Sequence, residues 1–148
     1  MNGDRLRPAR RNPMLQTKAA FSTFAVPDLD AARRFYGQTL GLQVRDQPEM
    51  GVMEIRVGDS QPVTVYPKPD FRPATFTVLN FVVDDIDRAV ADLNANGVRM
   101  ERYDDLPDMK PDANGIVRDP NGPAIAWFTD PAGNILSLME ASSDQRRN

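Results

Sequence analysis

The chain has 148 residues, 41% hydrophobic and 26% charged, which suits one globular domain able to bury roughly 68–70% of its unfolded surface. It contains no cysteine and no histidine, so no disulfide framework calls for an oxidising compartment, and no apolar run reaches membrane-spanning length. The formal net charge of −3 is unevenly spread, since residues 1–18 set five cations against Asp4 while residues 19–140 carry a net −8, an acidic body that repels nucleic-acid phosphates.

In chain order, residues 1–18 read as a disordered basic arm. The arm lacks the apolar stretch of a secretory signal, and no hydrophobic segment follows Arg10-Arg11 as a twin-arginine signal needs; cytoplasmic residence is expected. Residues 19–26 suit a strand, stopped by Pro27. Asp28 is placed to cap a helix over 29–40, with Ala31, Ala32, Phe35 and Tyr36 at helical spacing and Gly41 at its end. Strands are predicted over 42–46, 52–57 and 63–66, with turns at 48–51 and 58–62.

A proline-rich connector spans 67–73, and the order then repeats. Residues 75–83 read as a strand, Asp85 caps a helix to about Asn96, and Gly97 stops it. A short strand is expected at 98–102. Residues 103–123 form a long irregular stretch with five aspartates, too long for an ordinary connection; it reads as a lid, or equally as a solvated loop or dimer contact. A hairpin over 124–129 and 135–139 closes the chain, followed by a polar tail at 141–148.

The repetition is visible in the letters. FAVPDLDAA at 24–32 and FVVDDIDRA at 81–89 agree at five of nine positions. The predicted fold class is α+β: two βαβββ modules, 19–67 and 74–140, in one domain. Each would form a curved four-stranded mixed sheet backed by one helix, the other faces curling around a shared cleft.

VPDLDAARRFYGQTLGL at 26–42, VDDIDRAVADLNANGV at 83–98 and DPAGNILSL at 130–138, in this order and spacing, resemble the vicinal oxygen chelate superfamily. That superfamily includes glyoxalase I, extradiol dioxygenases and bleomycin-resistance proteins, and the similarity covers about 19–140. The resemblance implies a homodimer and, in metal-using members, four ligand positions. Carried onto this chain they are Phe21, Thr64, Val78 and Ser137. None is a good ligand for a first-row divalent ion, so the expectation is a member with no cofactor and no metal.

Strand alternation places Thr23 with Phe21, Tyr66 with Thr64, Asn80 with Val78, and Met139 with Ser137. Phe24, Val26, Leu79, Phe81, Val83, Leu136 and Leu138 fall on the opposite, helix-packed face. Asn80 has either protein partners or a ligand to orient. Trp127 serves either the core or a ligand stack. Tyr66 is a rim or core aromatic or an acid. Glu54 lies either in the cleft, as a general base, or on a solvated edge, and Tyr103 is a further acid–base candidate. The expected function is metal-independent binding of a small aromatic or cationic molecule, without nucleic acid or membrane. The alternative is a metal-free isomerase or lyase acting on a small carbonyl metabolite. An interaction module with an occluded cleft is a third class.

Overall fold

Apolar alternation along seven strands builds two separate sheets, each with its helix on the apolar side. The computed structural model describes residues 14–142. Residues 1–13 of the expected basic arm and 143–148 of the polar tail lie outside the described residues.

In the first half, β1 (Thr23–Val26) leads to Asp28, whose carboxylate accepts from the backbone N–H groups of Asp30 and Ala31 at 3.0 and 3.2 Å. This cap starts α1 (Leu29–Arg33), which continues as a wider π-helical stretch over Arg34–Thr39. Leu40 and Leu42 N–H donate to Phe35 and Tyr36 carbonyls, both at 2.9 Å, and Gly41 supplies the left-handed turn (φ 71°) that ends the element. Phe35 and Tyr36 are consecutive yet both buried, their rings edge to face at 5.1 Å. Strands β2 (Gln43–Gln47), β3 (Val52–Arg56) and β4 (Val63–Pro67) complete a sheet ordered β1-β4-β3-β2, with β1 and β4 parallel. The first strand starts four residues later than its composition suggests; before it, only Ser22 C=O joins the ladder, accepting from Thr64 N–H.

The second half repeats the scheme. β5 (Thr77–Val83) runs into α2 (Ile86–Ala95), capped by Asp85 and, at Ile86 N–H, by Glu140. β6 (Ile125–Thr129) and β7 (Ile135–Glu140) finish a sheet ordered β5-β7-β6. The expected fourth strand at 98–102 is absent among the described residues. Glu101 makes a single bridge to Trp127, then Tyr103 takes a left-handed conformation (φ 51°) and the chain leaves the ladder. Val117 returns to bridge Ile125, so the outer edge of β6 is shared by two isolated contacts.

The helix-packed faces merge into one core. Met53, Ile55 and Val65 of the first sheet and Ala126, Phe128 and Leu136 of the second are fully buried in a single cluster, each large side chain contributing about 1.5–3 kcal/mol. A buried polar staple crosses the junction. Tyr36 O–H donates to Asp130 Oδ2 at 2.7 Å, and Asn134 Nδ2 donates to Asp130 and to the Ala25 carbonyl. Asp130 Oδ1 also accepts from the N–H groups of Ala132 and Asn134. Among the described residues no buried side-chain N or O atom lacks a partner.

Candidate functional site

Opposite the core, each sheet presents a second face, and cross-strand register sets its neighbours. On the first sheet, Thr23, Thr64, Glu54 and Arg45 form one row, with Ala25 and Tyr66 in the next. Glu54 is half-buried and accepts from Gln47 Nε2 at 3.2 Å. On the second sheet, Asn80, Ser137, Trp127 and Glu101 form a row; Val82, Met139, Ile125 and Val117 form the next.

Two sequence-based positions fall elsewhere. Phe21 precedes β1 and is 66% exposed. Val78 sits in a β-bulge, where register shifts between Thr77 and Leu79, and packs against the core cluster. The extra residue reverses the alternation on its N-terminal side, so Thr77, not Val78, shares the face with Ile135 and Trp127. Thr77 was missed, because a bulge in an unbroken run of strand-forming residues leaves no mark in the apolar pattern. Thr23, Thr64, Tyr66 and Glu54 are gathered on the first sheet, and Asn80, Ser137, Met139, Trp127 and Tyr103 on the second.

The second face is an apolar floor with an aromatic wall. Trp127 Nε1–H donates to Thr77 Oγ1 at 3.2 Å, which fixes the indole plane. The Tyr103 ring meets it edge to face at 5.8 Å. Burial, aided by Glu101, pushes the Tyr103 phenol above its ordinary pKa, so at neutral pH it is a donor and not a base. Ser137 is fully buried, and its hydroxyl donates to Asn80 Oδ1.

The loop after Tyr103 is held by its distal half. Asp112 Oδ1 accepts from Asn114 and Ile116 N–H at 2.8 and 3.0 Å, Ile116 plugs the core, and Arg118 binds Asp87 of α2 at 2.6 Å. Its proximal half, carrying Leu106 and Met109, arches beside Val117 and Ile125 around a hollow of about 480 Å³. Two grooves join the halves of the chain, and both lie on the helix side. One, of about 270 Å³, sets Leu40, Leu42 and Val57 against Phe81, Phe128 and Leu138; the smaller lies between α1 and the Asp130 turn.

The profile of the Glyoxalase/Bleomycin resistance protein/Dioxygenase superfamily matches residues 19–138. The chain belongs to that superfamily. Among solved structures it is similar to a superfamily member from Sphaerobacter thermophilus DSM 20745, at 24% identity and TM-score 0.64, covering 85% of this chain and 98% of that one. It is also similar to TnmS3, an antibiotic binding protein from Streptomyces sp. CB03234, at 23% identity and TM-score 0.63, covering 86% and 100%. Lactoylglutathione lyase from Agrobacterium tumefaciens aligns at 21% identity and TM-score 0.61, covering 85% and 95%. At these identities the likeness shows the fold alone. A search of curated protein sequences returned no match.

The four positions at which the superfamily resemblance puts metal ligands do not fit a first-row divalent ion. Phe21 and Val78 are hydrocarbon, Thr77, which the bulge puts on the face instead of Val78, offers a hydroxyl bonded by Trp127, Thr64 is a half-buried hydroxyl, and the Ser137 hydroxyl is engaged with Asn80. Among the described residues no group of three or more His, Cys, Asp or Glu side chains is placed to hold a metal ion.

Proposed function

We propose that this protein binds a small, largely apolar molecule, aromatic or cationic in part, without a metal. The observation that carries the reading is the open face of the second sheet. Val82, Met139 and Ile125 make an apolar floor there, with Val82 53% exposed. Trp127 and Tyr103 wall it, and Asn80, with its Oδ1 held by Ser137, turns its Nδ2 to the face. Aromatic walls over an apolar floor with few polar anchors are how soluble proteins hold flat organic ligands. The antibiotic-binding description of TnmS3 is consistent with such a role on this fold.

The site is completed, in this reading, by a second copy of the chain. The helix-packed faces of both sheets share one core, and in this reading their open faces turn away from each other. A cleft enclosing both kinds of face therefore sets the second sheet of one protomer against the first sheet of its partner. The first sheet would bring Thr23, Thr64, Glu54 and Tyr66 to the opposite wall. Cytoplasmic residence fits a chain in which no described helix is long and apolar enough to cross a membrane.

The test has two parts. Elemental analysis of protein purified without chelator is expected to find no stoichiometric transition metal; about one Zn, Ni, Mn or Fe per chain overturns the metal-free reading. A thermal-shift series over aromatic antibiotics and metabolites is expected to raise the melting temperature in a concentration-dependent way, because a ligand specific for the folded state stabilises it by mass action. Full retention of that shift in Trp127→Ala would remove the second sheet from the site.

A further inference from the structure

We infer that Asn80 turns its hydrogen-bond donors to this site, so that the bound molecule places a carbonyl-type acceptor oxygen at that point and its ring system toward Trp127. This rests on the binding role proposed above and names the ligand chemistry it demands.

The argument starts from Ser137. Its side chain is fully buried on the middle strand of the second sheet, and its hydroxyl has one partner, the Asn80 carboxamide. A carboxamide has an oxygen that accepts and a nitrogen that donates, and either could face a hydroxyl. Were the nitrogen turned to Ser137, the hydroxyl proton would be left buried without an acceptor, at a cost that folded proteins avoid. Only the orientation with Oδ1 toward Ser137 satisfies the buried group. Oδ1 is thereby turned toward the buried hydroxyl with one lone pair engaged, and the Nδ2 hydrogens, which bond no described protein group, face outward from an exposed position.

The remaining polar groups on this face are committed or peripheral. The Trp127 indole N–H is spent on Thr77, and Tyr103 and the Glu101 carboxylate stand at the far edge, beyond Trp127 from Asn80. Asn80 and Trp127 occupy the same row with β7 between them, hence roughly 10 Å apart across two strand spacings. That span suits a molecule of two fused rings with its oxygen over Asn80 and its far ring at the indole. An ammonium placed there, with no lone pair to accept, would set donor against donor.

A matched series tests this: 1-tetralone, tetralin and 1-aminotetralin share one ring body and differ only at the polar position. Binding to the full chain is read from the fluorescence of Trp127, the chain's single tryptophan, and checked by calorimetry. The ketone is expected to bind about tenfold more tightly than either other probe, as one good hydrogen bond to a prepared donor allows. Asn80→Asp keeps the shape and the Ser137 bond but has no donor, so the order should invert in favour of the amine. Ser137→Ala frees the carboxamide to turn, so the ketone's advantage should narrow. Equal binding of ketone and tetralin to the wild-type protein, or a ketone preference that survives Asn80→Asp, overturns the inference while leaving the binding role standing. No binding by any of the three overturns both. The wild-type series needs no variant, so a poorly folding substitution does not remove the test.

Discussion

Thr23, Thr64, Glu54 and Arg45 face outward in one row of the first sheet, and Ala25 and Tyr66 in the next; the equivalent rows of the second are Asn80, Ser137, Trp127 and Glu101, then Val82, Met139, Ile125 and Val117. Beneath both sets of rows lies the same kind of layer, Phe24 and Val26 matching Phe81 and Val83, each strand running into an Asp-capped helix. The duplicated halves stayed alike where they must bury apolar surface and diverged where they need not. A core face is held by packing density, and a one-methylene change there is felt. An open face answers only to what it meets: Trp127 stands in the second sheet where Glu54 stands in the first, and Val82 and Met139 where Ala25 and Tyr66 stand. Such a pair suits two sides of one binding cleft better than two copies of one site.

The largest expected effect comes from cutting the staple that joins the halves. Asp130→Ala removes the acceptor for Tyr36, Ala132 and Asn134 together and should cost about 3 kcal/mol or more, read by urea unfolding, since buried donors are left unpaired. Tyr36→Phe removes one of those bonds and should cost about 1 kcal/mol. If Asp130→Ala is nearly neutral, the halves are held by packing alone.

The contrast between the open faces predicts an unequal response to truncation. Trp127→Ala should weaken 1-tetralone binding by about tenfold or more, measured by calorimetry, whereas Thr64→Val should change it by less than about threefold. Equal losses would mean that the two faces share the ligand evenly.

A pH series adds a smaller effect at the same joint. Burial, with the Asp130 charge alongside, pushes the Tyr36 phenol well above its ordinary pKa. The folded state thus resists ionisation that the unfolded chain undergoes near pH 10. Its contribution is complete below that pH and is lost as pH rises. Alkaline destabilisation above about pH 10 should shrink in Tyr36→Phe.

The smallest effect concerns the loop that distinguishes the second half. Partial burial pushes the Asp112 carboxyl up, but bonds from Ile116 and Asn114 N–H and the Arg118 charge prevail and hold it below the usual range. A depressed pKa stabilises above the unfolded value and loses that contribution as pH falls through the folded one. Asp112→Asn at neutral pH, or the wild-type protein below about pH 4, should show faster amide exchange across residues 104–118 with little change in global stability. Unchanged exchange would mean that Ile116 alone holds the loop.

Much of this was legible in the letters. The Asp28 and Asp85 caps, the apolar identity of the core faces and the placing of Asn80 and Ser137 on the face opposite the helix follow from spacing and alternation, because both periods are local properties of the chain. Val78 and Thr77 were not legible, since a bulge is a disagreement between two strands and only the partner's register exposes it. The fourth strand of the second half looked plausible at 98–102, yet a strand needs a neighbour along its whole length, and the turn at Tyr103 withdraws it after one bridge. The π-helical stretch after Arg33 likewise answers to the packing of Phe35 and Tyr36, not to helix propensity.

The sequence by itself determined the duplicated α+β plan and left Phe21, Thr64, Val78 and Ser137 where the superfamily resemblance looks for metal ligands, for caps, periods and residue identities need no third dimension. How the two halves join was decided only in the tertiary structure. The helix-packed layers fuse into one core, joined through Tyr36, Asp130 and Asn134, whose contacts span 94 and 109 residues of chain, a joining that no local pattern encodes.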